Sequence, residues 1–290
     1  MEIFRTRAEV HSYLEKVKID GNSIGFVPTM GALHEGHLSL IDAARTKTDV
    51  VVCSIFVNPT QFNDKKDLEN YPRPIEDDIK KLKGANCDVL FLPEVDEMYN
   101  SNDNWRIKLN DFDTILEGEI RPGHYQGVTQ IVKKLFDIVR PDYAFFGQKD
   151  FQQFVVLSYM VKKLGINIQL IRCPIIREND GLAMSSRNVY LSKEDRQNAL
   201  SLFSSLTRAK EEFGHLSIPQ VKKNAMDYLS NAVGIKVEYF EFYDINTFEP
   251  ASSKQAENVI ALVAARVGNI RIIDNMILSN LPAGRQATHN

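Results

Sequence analysis

The chain has 290 residues and a formal net charge of -3, and 43% of its residues are hydrophobic. That length is typical of one large domain or two modest ones, and the composition is that of an ordinary soluble globular protein. The small net charge gives no global reason to expect a nucleic acid or a membrane surface as a partner.

Short apolar runs alternate with longer amphipathic stretches through the first two thirds of the chain. Several runs are apolar at consecutive positions, which indicates strands buried on both faces of a parallel sheet. We predict strands at residues 23–27, 50–57, 89–92, 143–146 and 168–171, and helices at 38–46, 74–83 and 151–164. The pattern predicts an α/β fold with a doubly wound parallel sheet, which binds ligands beyond the carboxyl ends of its strands.

The first predicted strand leads into a turn with the sequence Pro28-Thr29-Met30-Gly31-Ala32-Leu33-His34-Glu35-Gly36-His37. The glycines allow close approach of a ligand, and the helix N-terminus that follows suits a phosphate. The two histidines add donors that can follow charge on a phosphoryl oxygen. Their spacing is not that of a His-Glu-x-x-His zinc helix, so zinc is not expected. On the turn alone, structural histidines remain an alternative.

Two amides, Asn58 and Gln61, follow the second predicted strand. Pro59 between them fixes one φ angle and removes a donor, so we expect the strand to end in a rigid turn. The amides either cap this turn or recognise a hydroxyl and a carboxylate without adding charge. This segment by itself leaves both interpretations open.

The next two motifs also precede predicted helices. Asp77 and Asp78 lie in the first turn of a helix, where acidic residues are ordinary caps, but adjacent carboxylates could instead help to hold Mg²⁺. Arg121, Gly123 and His124 form a second glycine-containing turn before an apolar helix. They either line a phosphate or carboxylate site or lie in a surface loop.

Lys149 follows the fourth predicted strand, where its compact charge suits a polyphosphate. No Gly-x-x-x-x-Gly-Lys-[Ser/Thr] sequence occurs, so this is not a P-loop.

Further on, two serines and Arg187 follow the turn pair Asp180-Gly181. Such a loop can close over phosphates, with an ordinary surface loop as the alternative. The absence of a Gly-x-Ser-x-Gly elbow excludes a serine hydrolase of that type.

From about residue 176 the pattern changes to that of a smaller α+β domain. Ser192 opens a capping box that predicts a helix to about residue 213. Ser217-Ile218-Pro219 starts a second helix, and strands are predicted at 236–244, 259–267 and 270–278. We therefore expect domains at residues 1–175 and 176–282, followed by a tail at 283–290.

The three cysteines, Cys53, Cys87 and Cys173, lie far apart among apolar residues and form no Cys-x-x-Cys pair. We expect three buried thiols in a reducing compartment, without zinc or redox chemistry. The N-terminus lacks an apolar signal region, and no run reaches transmembrane length. This predicts a cytoplasmic protein that does not span a membrane.

Five motifs occur in order between about residues 20 and 280: Pro-Thr-Met-Gly-Ala-Leu-His-Glu-Gly-His, Phe-Val-Asn-Pro-Thr-Gln-Phe, Arg-Pro-Gly-His-Tyr-x-Gly-Val, Gly-Gln-Lys-Asp-x-Gln-Gln and Asp-Gly-Leu-Ala-Met-Ser-Ser-Arg-Asn. Together they closely resemble the pantothenate synthetase family. The resemblance implies a ligase that joins pantoate to β-alanine with ATP, through a pantoyl adenylate, releasing AMP and pyrophosphate. It also implies a Rossmann-like N-terminal domain, a smaller C-terminal domain that closes over the site, and a homodimer.

The same resemblance implies the residues of the site. His37, the proton donor of the family, and His34 would stabilise the α-phosphate, while Lys149 and Arg187 would hold phosphates. The other residues implied for ATP are Met30, Gly31, Ala32, Leu33, Glu35, Gly36, Gly147, Gln148, Asp150, Ile176, Met184, Ser185 and Ser186. The residues implied for pantoate or β-alanine are Gln61, Gln153, Asn58, Arg121, His124 and Tyr71. Asp77 or Asp78 would lie near Mg²⁺.

Two other classes of protein share a His-x-Gly-His turn. One is a nucleotidylyltransferase whose product keeps the nucleotide, and the other is an aminoacyl-tRNA-synthetase-like protein. The chain has no evident basic extension of the kind that binds an anticodon, so we expect small-molecule partners and no nucleic acid. Release of AMP that depends on β-alanine would distinguish the ligase from the transferase.

Overall fold

A computed structural model of the chain describes residues 1–100, 103–251 and 258–278. The chain divides into two compact units, a first unit from Met1 to Ile176 and a second unit that begins at Arg177. The tail predicted at 283–290 lies outside the described residues.

Six parallel strands form one sheet in the described part of the first unit: Glu2–Phe4 (β1), Ile24–Thr29 (β2), Val50–Ile55 (β3), Val89–Phe91 (β4), Tyr143–Gly147 (β5) and Gln169–Cys173 (β6). Their order across the sheet is β1-β4-β3-β2-β5-β6. The chain moves outward in one direction from β2 and in the other from β5, so the topological switch point lies between these two strands. The predicted doubly wound parallel sheet is confirmed.

The helices of the first unit are Arg7–Ile19 (α1), Glu35–Arg45 (α2), Lys65–Asn70 (α3), Ile75–Gly84 (α4), Val95–Met98 (α5), Glu117–Ile120 (α6), His124–Val139 (α7) and Phe151–Leu164 (α8). Helices α1, α7 and α8 pack with the strand residues Phe26 and Val52 on one face of the sheet. Helices α2 and α4 pack with Val27 and Val51 on the other. Burial on both faces is the reason that the strands read as continuous apolar runs.

The sequence prediction omitted the first two elements of the chain. Strand β1 has only three residues, two of them exposed, so no apolar run of strand length marks it. Helix α1 did carry a signal, because Thr6 and Glu9 form a reciprocal capping box in which the Thr6 Oγ1 accepts the Glu9 N–H at 3.3 Å. The predicted strands all occur, with ends shifted by a residue or two.

The second unit contains the helices Lys193–Asn198 (α9), Leu200–Glu212 (α10) and Ile218–Ser230 (α11), followed by the strands Ile235–Asp244 (β7), Val259–Val267 (β8) and Ile270–Ile277 (β9). The strands form an antiparallel sheet in the order β7-β8-β9, as expected for a small α+β unit. Ser192 caps α9 by accepting the Asp195 N–H at 3.0 Å. The single helix predicted to residue 213 is wrong, since a tighter Leu202 N–H to Ala199 carbonyl bond separates α9 from α10.

All three cysteines are buried, as predicted, and none is in a disulfide. Burial raises the pKa of Cys87 to about 12 and that of Cys173 to about 11, so both stay as thiols at neutral pH. Every helix within the described ranges falls short of the length and apolar character needed to cross a membrane.

Candidate active site

Turns that follow three neighbouring strands meet at one edge of the first unit's sheet. The turn after β2 ends at His34 and leads to His37 in the first turn of α2, the turn after β3 carries Gln61, and the turn after β5 carries Lys149. Strands β3, β2 and β5 are adjacent and parallel, so their carboxyl ends lie together. This edge includes the switch point, which is where doubly wound sheets bind ligands.

The turn after β2 has a constrained backbone. Gly31 has a φ of 81° and Ala32 a φ of 50°, in the left-handed region that is costly for a residue with a Cβ atom. A Cβ atom at Gly31 would also lie 2.9 Å from the Ile55 side chain, so glycine is required there. Helix α2 then begins, with the His37 N–H donating to the His34 carbonyl at 2.7 Å. Both imidazoles are therefore presented at a helix N-terminus.

Helix α4 holds this turn in place through two side chains, which we call the α4 clamp: Asp78 and Lys81. The Asp78 carboxylate accepts the Ala32 N–H at 2.8 Å and the Leu33 N–H at 2.7 Å, one on each oxygen. The Lys81 ammonium donates to the Leu33 carbonyl at 2.6 Å. Asp78 is fully buried. The clamp therefore satisfies the backbone groups of the turn that leads to the histidines.

The two imidazoles lie with their ring centroids 4.1 Å apart. The Nδ1 atom of His37 accepts the His34 N–H at 3.3 Å, which places the His37 proton on Nε2. Burial, and then Lys149 and Lys81, lower the pKa of His34 to about 4. Burial, and then His34 and Lys149, lower the pKa of His37 well below its ordinary value. Both rings are therefore neutral at pH 7, so each can donate one hydrogen bond but carries no charge.

One buried atom of this pair needs a partner. The Nδ1 atom of His34 is buried and has no hydrogen-bond partner within the described residues. Buried polar atoms in folded proteins are nearly always paired, so this nitrogen is one that a water or a ligand can satisfy.

Lys149 lies in the short turn Gln148–Asp150 directly after β5. Its ammonium is 3.7 Å from the Asp150 carboxylate. Lys149 lowers the pKa of both His34 and His37, so its charge acts on the same two rings. A Cβ atom at Gly147 would meet no heavy atom within 4 Å, which leaves open space at the end of the strand. The imidazoles and the ammonium thus belong to one site.

Asn58 and Gln61 form a connected pair of amides beside this site. Pro59 starts the turn Pro59–Gln61, which agrees with the rigid turn predicted from the proline. The Asn58 Nδ2 atom donates to Gln61 Oε1 at 3.1 Å. The Gln61 Nε2 atom in turn donates to the Met30 sulfur at 3.0 Å. Gln61 is therefore the amide that contacts the histidine-bearing turn, while Asn58 lies behind it.

Arg121 and His124 support the backbone of Gln61. The Gln61 carbonyl accepts from His124 Nδ1 at 2.9 Å and from Arg121 Nη2 at 3.4 Å. Because a carbonyl only accepts, the His124 proton lies on Nδ1, and its Nε2 accepts from Arg121 Nη1 at 3.1 Å. Burial and Arg121 lower the pKa of His124 to about 3. Both ring nitrogens are used within the protein, so the geometry gives His124 a supporting place rather than the substrate contact that the resemblance implied.

Two further residues predicted to bind pantoate or β-alanine, Tyr71 and Gln153, differ in burial. Tyr71 is buried, with its ring edge-on to Phe62 at 5.7 Å. Gln152 uses its amide inside the protein, accepting the Glu117 N–H at 3.0 Å. The neighbouring Gln153 is half-buried and makes no side-chain hydrogen bond to any residue the structure describes. Its amide is therefore available to a ligand.

The two carboxylates predicted to lie near Mg²⁺ differ in their exposure to solvent. Asp78 is buried in the α4 clamp, whereas Asp77 is exposed and pairs with Lys80 at 3.2 Å. Across the described ranges, no three His, Cys, Asp or Glu side chains are grouped as a preformed metal site would need. Asp77 is thus the carboxylate of the two whose oxygens are open to an added ion.

The predicted phosphate loop lies in the second unit and comprises Met184, Ser185, Ser186 and Arg187. Ser185 precedes the short helical turn Ser186–Tyr190, and its hydroxyl accepts the Arg187 N–H at 3.3 Å. Asn188 donates to the Ala183 carbonyl at 3.1 Å and ties the two sides of the loop together. The loop therefore has a defined local structure. Ile176, also predicted for ATP, is the half-buried last residue of the first unit.

The segment that leads into that loop is anchored to β9 through Arg177. Arg177 forms a two-pronged pair with the buried Asp274, with N–O distances of 2.7 and 3.0 Å. It also donates to the Gly181 carbonyl at 3.0 Å. A planar guanidinium paired with a carboxylate in this way fixes direction as well as distance.

Sequence reasoning missed Lys81, Tyr99 and Gln152. Lys81 could have been found, because Asp78 and Lys81 are three residues apart on a helix and so share one face. Tyr99 donates to Asn58 from 41 positions away, and no local pattern marks such a contact. Gln152 was distinguishable from Gln153 only by burial.

Nearly the whole chain is similar to proteins of one family. The family model described as "Pantoate-beta-alanine ligase" matches residues 2–277. A protein of Thermotoga petrophila named "Pantothenate synthetase" is 49% identical over 280 residues, covering 96% of this chain and 100% of the relative. A protein of the same name from Bacteroides fragilis is 40% identical, covering 95% of this chain and 98% of the relative.

Solved structures give the same result. The pantothenate synthetase of Thermus thermophilus matches with a TM-score of 0.91 and 38% identity, covering 96% of this chain and 100% of that one. The pantoate-beta-alanine ligase of Francisella tularensis, described as complexed with beta-gamma ATP and beta-alanine, matches with a TM-score of 0.80 and 35% identity. It covers 96% of this chain and 98% of that one.

Proposed function

This chain belongs to the pantoate-beta-alanine ligase family, and on that premise we propose that it joins pantoate to β-alanine in two steps, with ATP as co-substrate and a pantoyl adenylate between them. Membership makes it a ligase that forms an amide bond. ATP is part of the proposal because the similar ligase of Francisella tularensis is described in complex with beta-gamma ATP and beta-alanine.

In the first step, a carboxylate oxygen of pantoate attacks the α-phosphorus of ATP. A P–O bond forms, the bond from the α-phosphorus to the bridging oxygen breaks, and pyrophosphate leaves with its electron pair. Two anions must approach each other, so the site has to supply fixed positive charge and donors. Lys149 supplies the charge, and His34 and His37 supply donors at the N-terminus of α2.

The protonation of the histidines defines their part in this step. Because His37 is neutral and its Nδ1 already accepts the His34 N–H, its Nε2–H is the group that donates a hydrogen bond to a phosphoryl oxygen. Negative charge that builds up on that oxygen strengthens the bond. This supports a role for His37 as the donor that acts on the nucleotide during adenylate formation.

In the second step, the neutral amine of β-alanine attacks the carbonyl carbon of the adenylate. The C–N bond forms, the bond from carbon to the phosphate oxygen breaks, AMP leaves with the electron pair of that bond, and the amine nitrogen gives up a proton to water. Positioning matters more than acid–base help here. Gln61 and Gln153 carry amides that suit the hydroxyl and carboxylate groups of the substrates without adding charge.

Magnesium fits the site as an ion carried by the nucleotide. Mg²⁺ usually keeps several waters and takes one or two carboxylates in addition to phosphate oxygens. The exposed carboxylate of Asp77 is the ligand that the protein would add, and the ion would neutralise charge on the phosphates. Contact of Ser185, Ser186 and Arg187 with those phosphates, implied by the family resemblance, remains a prediction.

The observation that carries the proposal is the shared site of two neutral histidines and Lys149 at the switch point, beside the amide of Gln61. We expect that the protein with ATP, Mg²⁺ and pantoate, but no β-alanine, releases pyrophosphate and retains a pantoyl adenylate, which mass spectrometry of the quenched complex detects. Addition of β-alanine should then release AMP. Release of AMP without β-alanine, or no pantoate-dependent pyrophosphate, would contradict the proposal.

A further inference from the structure

Tyr99 lies outside every motif of the sequence, directly after α5. Its hydroxyl donates to Oδ1 of Asn58 at 2.6 Å. We infer that Tyr99 is a positioning residue that orients the Gln61 amide toward its substrate by fixing the amide of Asn58. The inference rests on the proposed function, in which Gln61 binds pantoate.

The orientation of the Asn58 amide follows from a neighbour that can only accept. The Gly127 carbonyl lies 3.2 Å from one end of the amide, so that end must be the nitrogen. The oxygen end consequently faces Tyr99. The Thr60 hydroxyl, 3.2 Å from the same oxygen, is a second donor to it. The assignment of nitrogen and oxygen is therefore set by the chemistry of the surroundings.

The direction of Gln61 follows in the same way. The Asn58 nitrogen faces Gln61, so the end of the Gln61 amide that meets it must be the oxygen, at 3.1 Å. The nitrogen of Gln61 is left on the side of Met30 and the histidine-bearing turn. With two donors on its oxygen and two acceptors at its nitrogen, Asn58 has used all four of its hydrogen-bonding positions. Asn58 therefore acts on a ligand through Gln61.

Tyr99 is itself held firmly enough to set this direction. Its ring packs against Phe56 with centroids 6.2 Å apart, and the Lys134 ammonium lies 5.3 Å from the ring centroid. Lys134 is fixed in turn by Asp103 at 2.8 Å. Burial raises the pKa of Tyr99 to about 12, so its hydroxyl keeps the proton it donates throughout the neutral range.

The elements that carry this network are packed tightly. A Cβ atom at Gly127 would overlap the Thr60 carbonyl, so α7 lies directly against the turn that holds Asn58 and Gln61. Loss of the Tyr99 hydroxyl should weaken the preference for one amide orientation without opening a large cavity, because the ring is kept.

The test replaces Tyr99→Phe, which removes the hydroxyl and keeps the ring. Tyr159→Phe is the matched control, because among the described residues the Tyr159 hydroxyl accepts only the Lys163 ammonium on α8, at 3.0 Å. Steady-state rates of AMP release are measured with pantoate varied and then with ATP varied, for the wild type, both variants, Asn58→Ala and the double variant Y99F/N58A.

We expect Y99F to lower kcat/KM for pantoate by about 5- to 10-fold, with KM for ATP unchanged, and Y159F to match the wild type. In the N58A background, Y99F should cause no further loss of kcat/KM, because the Asn58 amide that the Tyr99 hydroxyl bonds is already absent. This comparison remains valid when Y99F lowers thermal stability, since a general effect would add to the loss in N58A.

The inference is overturned if Y99F and Y159F have the same kcat/KM for pantoate, or if Y99F impairs the use of ATP as much as the use of pantoate. It is also overturned if the loss of kcat/KM caused by Y99F adds to the loss caused by N58A. A wild-type protein without pantoate-dependent AMP release would instead refute the proposed function. An active wild type with an unaffected Y99F variant refutes only the role of Tyr99.

Discussion

At the scale of single residues, the site is built from groups whose neighbours restrict what they can do. His34 and His37 are held neutral by burial and by nearby lysines. Asp78 and His124 were expected near ligands, but the structure uses their polar atoms within the protein: Asp78 accepts two backbone N–H groups, and His124 bonds the Gln61 carbonyl and the Arg121 guanidinium. Type and spacing indicated candidate residues after the strands, whereas the partner of each polar atom required the fold.

Replacement of His37→Ala should lower the rate of adenylate formation by about 10²-fold or more, because one positioned donor to a developing phosphate charge is lost. The measurement is pantoate-dependent exchange of pyrophosphate into ATP. His215→Ala, at an exposed position of the second unit, serves as the control. Near-normal exchange in the His37 variant would remove this residue from the chemistry.

Gly147→Ala tests whether the open space at the end of β5 belongs to the nucleotide. The φ of this residue, -73°, is ordinary and a Cβ atom meets nothing, so stability should be unchanged. A methyl group in ligand space should raise KM for ATP by about tenfold. Gly84→Ala, which also meets nothing within 4 Å, is the matched control. Equal KM values for the two variants would show that nucleotide does not approach Gly147.

At the scale of elements, helix α4 determines the geometry of the turn that precedes helix α2. The α4 clamp holds the left-handed backbone at Gly31 and Ala32, and that turn delivers both histidines to the start of α2. The acidic first turn of α4 was readable in the sequence. The bond from Ala32 to Asp78 was not, because the two residues are 46 positions apart. Long-range pairing of this kind leaves no periodic signal.

Asp78→Asn should lower the rate of adenylate formation by about tenfold, while Glu76→Gln, an exposed change on the same helix, leaves it unchanged. An asparagine can accept only one of the two backbone N–H groups, so the turn is released on one side. Pre-steady-state pyrophosphate release measures the step, and unfolding by urea reports stability separately. A normal rate in Asp78→Asn would show that the strained turn keeps its shape without the clamp.

At the scale of the whole molecule, the sequence predicted the class of fold well, because continuous apolar runs and helical periodicity both reflect burial in layers. Five of the six strands of the parallel sheet, β2 to β6, and the small α+β unit were recognised in this way. Strand β1 was too short to register, and the division between α9 and α10 depends on a single tighter turn at Ala199. The order of strands, which creates the switch point, was not readable from any one segment.

The stability of the whole chain should decrease on acidification between pH 6.5 and about 4, because the folded protein lowers the pKa of His34 from 6.5 to about 4. The unfolded chain binds the proton more readily in that range, so the free energy of unfolding falls as the pH falls. We expect His34→Gln to remove on the order of 1 kcal/mol of the loss between pH 7 and pH 5. Urea unfolding at both pH values measures it, and an identical pH dependence in the variant would contradict the lowered pKa.

The uncharged state of the paired imidazoles beside Lys149 also affects how a triphosphate is received. Neutral donors bond phosphoryl oxygens without a change in their own protonation, so loading the nucleotide should exchange no hydrogen ions between these rings and the medium. The heat of that association, followed by titration calorimetry, should then be independent of the ionisation enthalpy of the buffer. The pocket would thus receive its guest without the proton uptake that a pair of cationic rings would require.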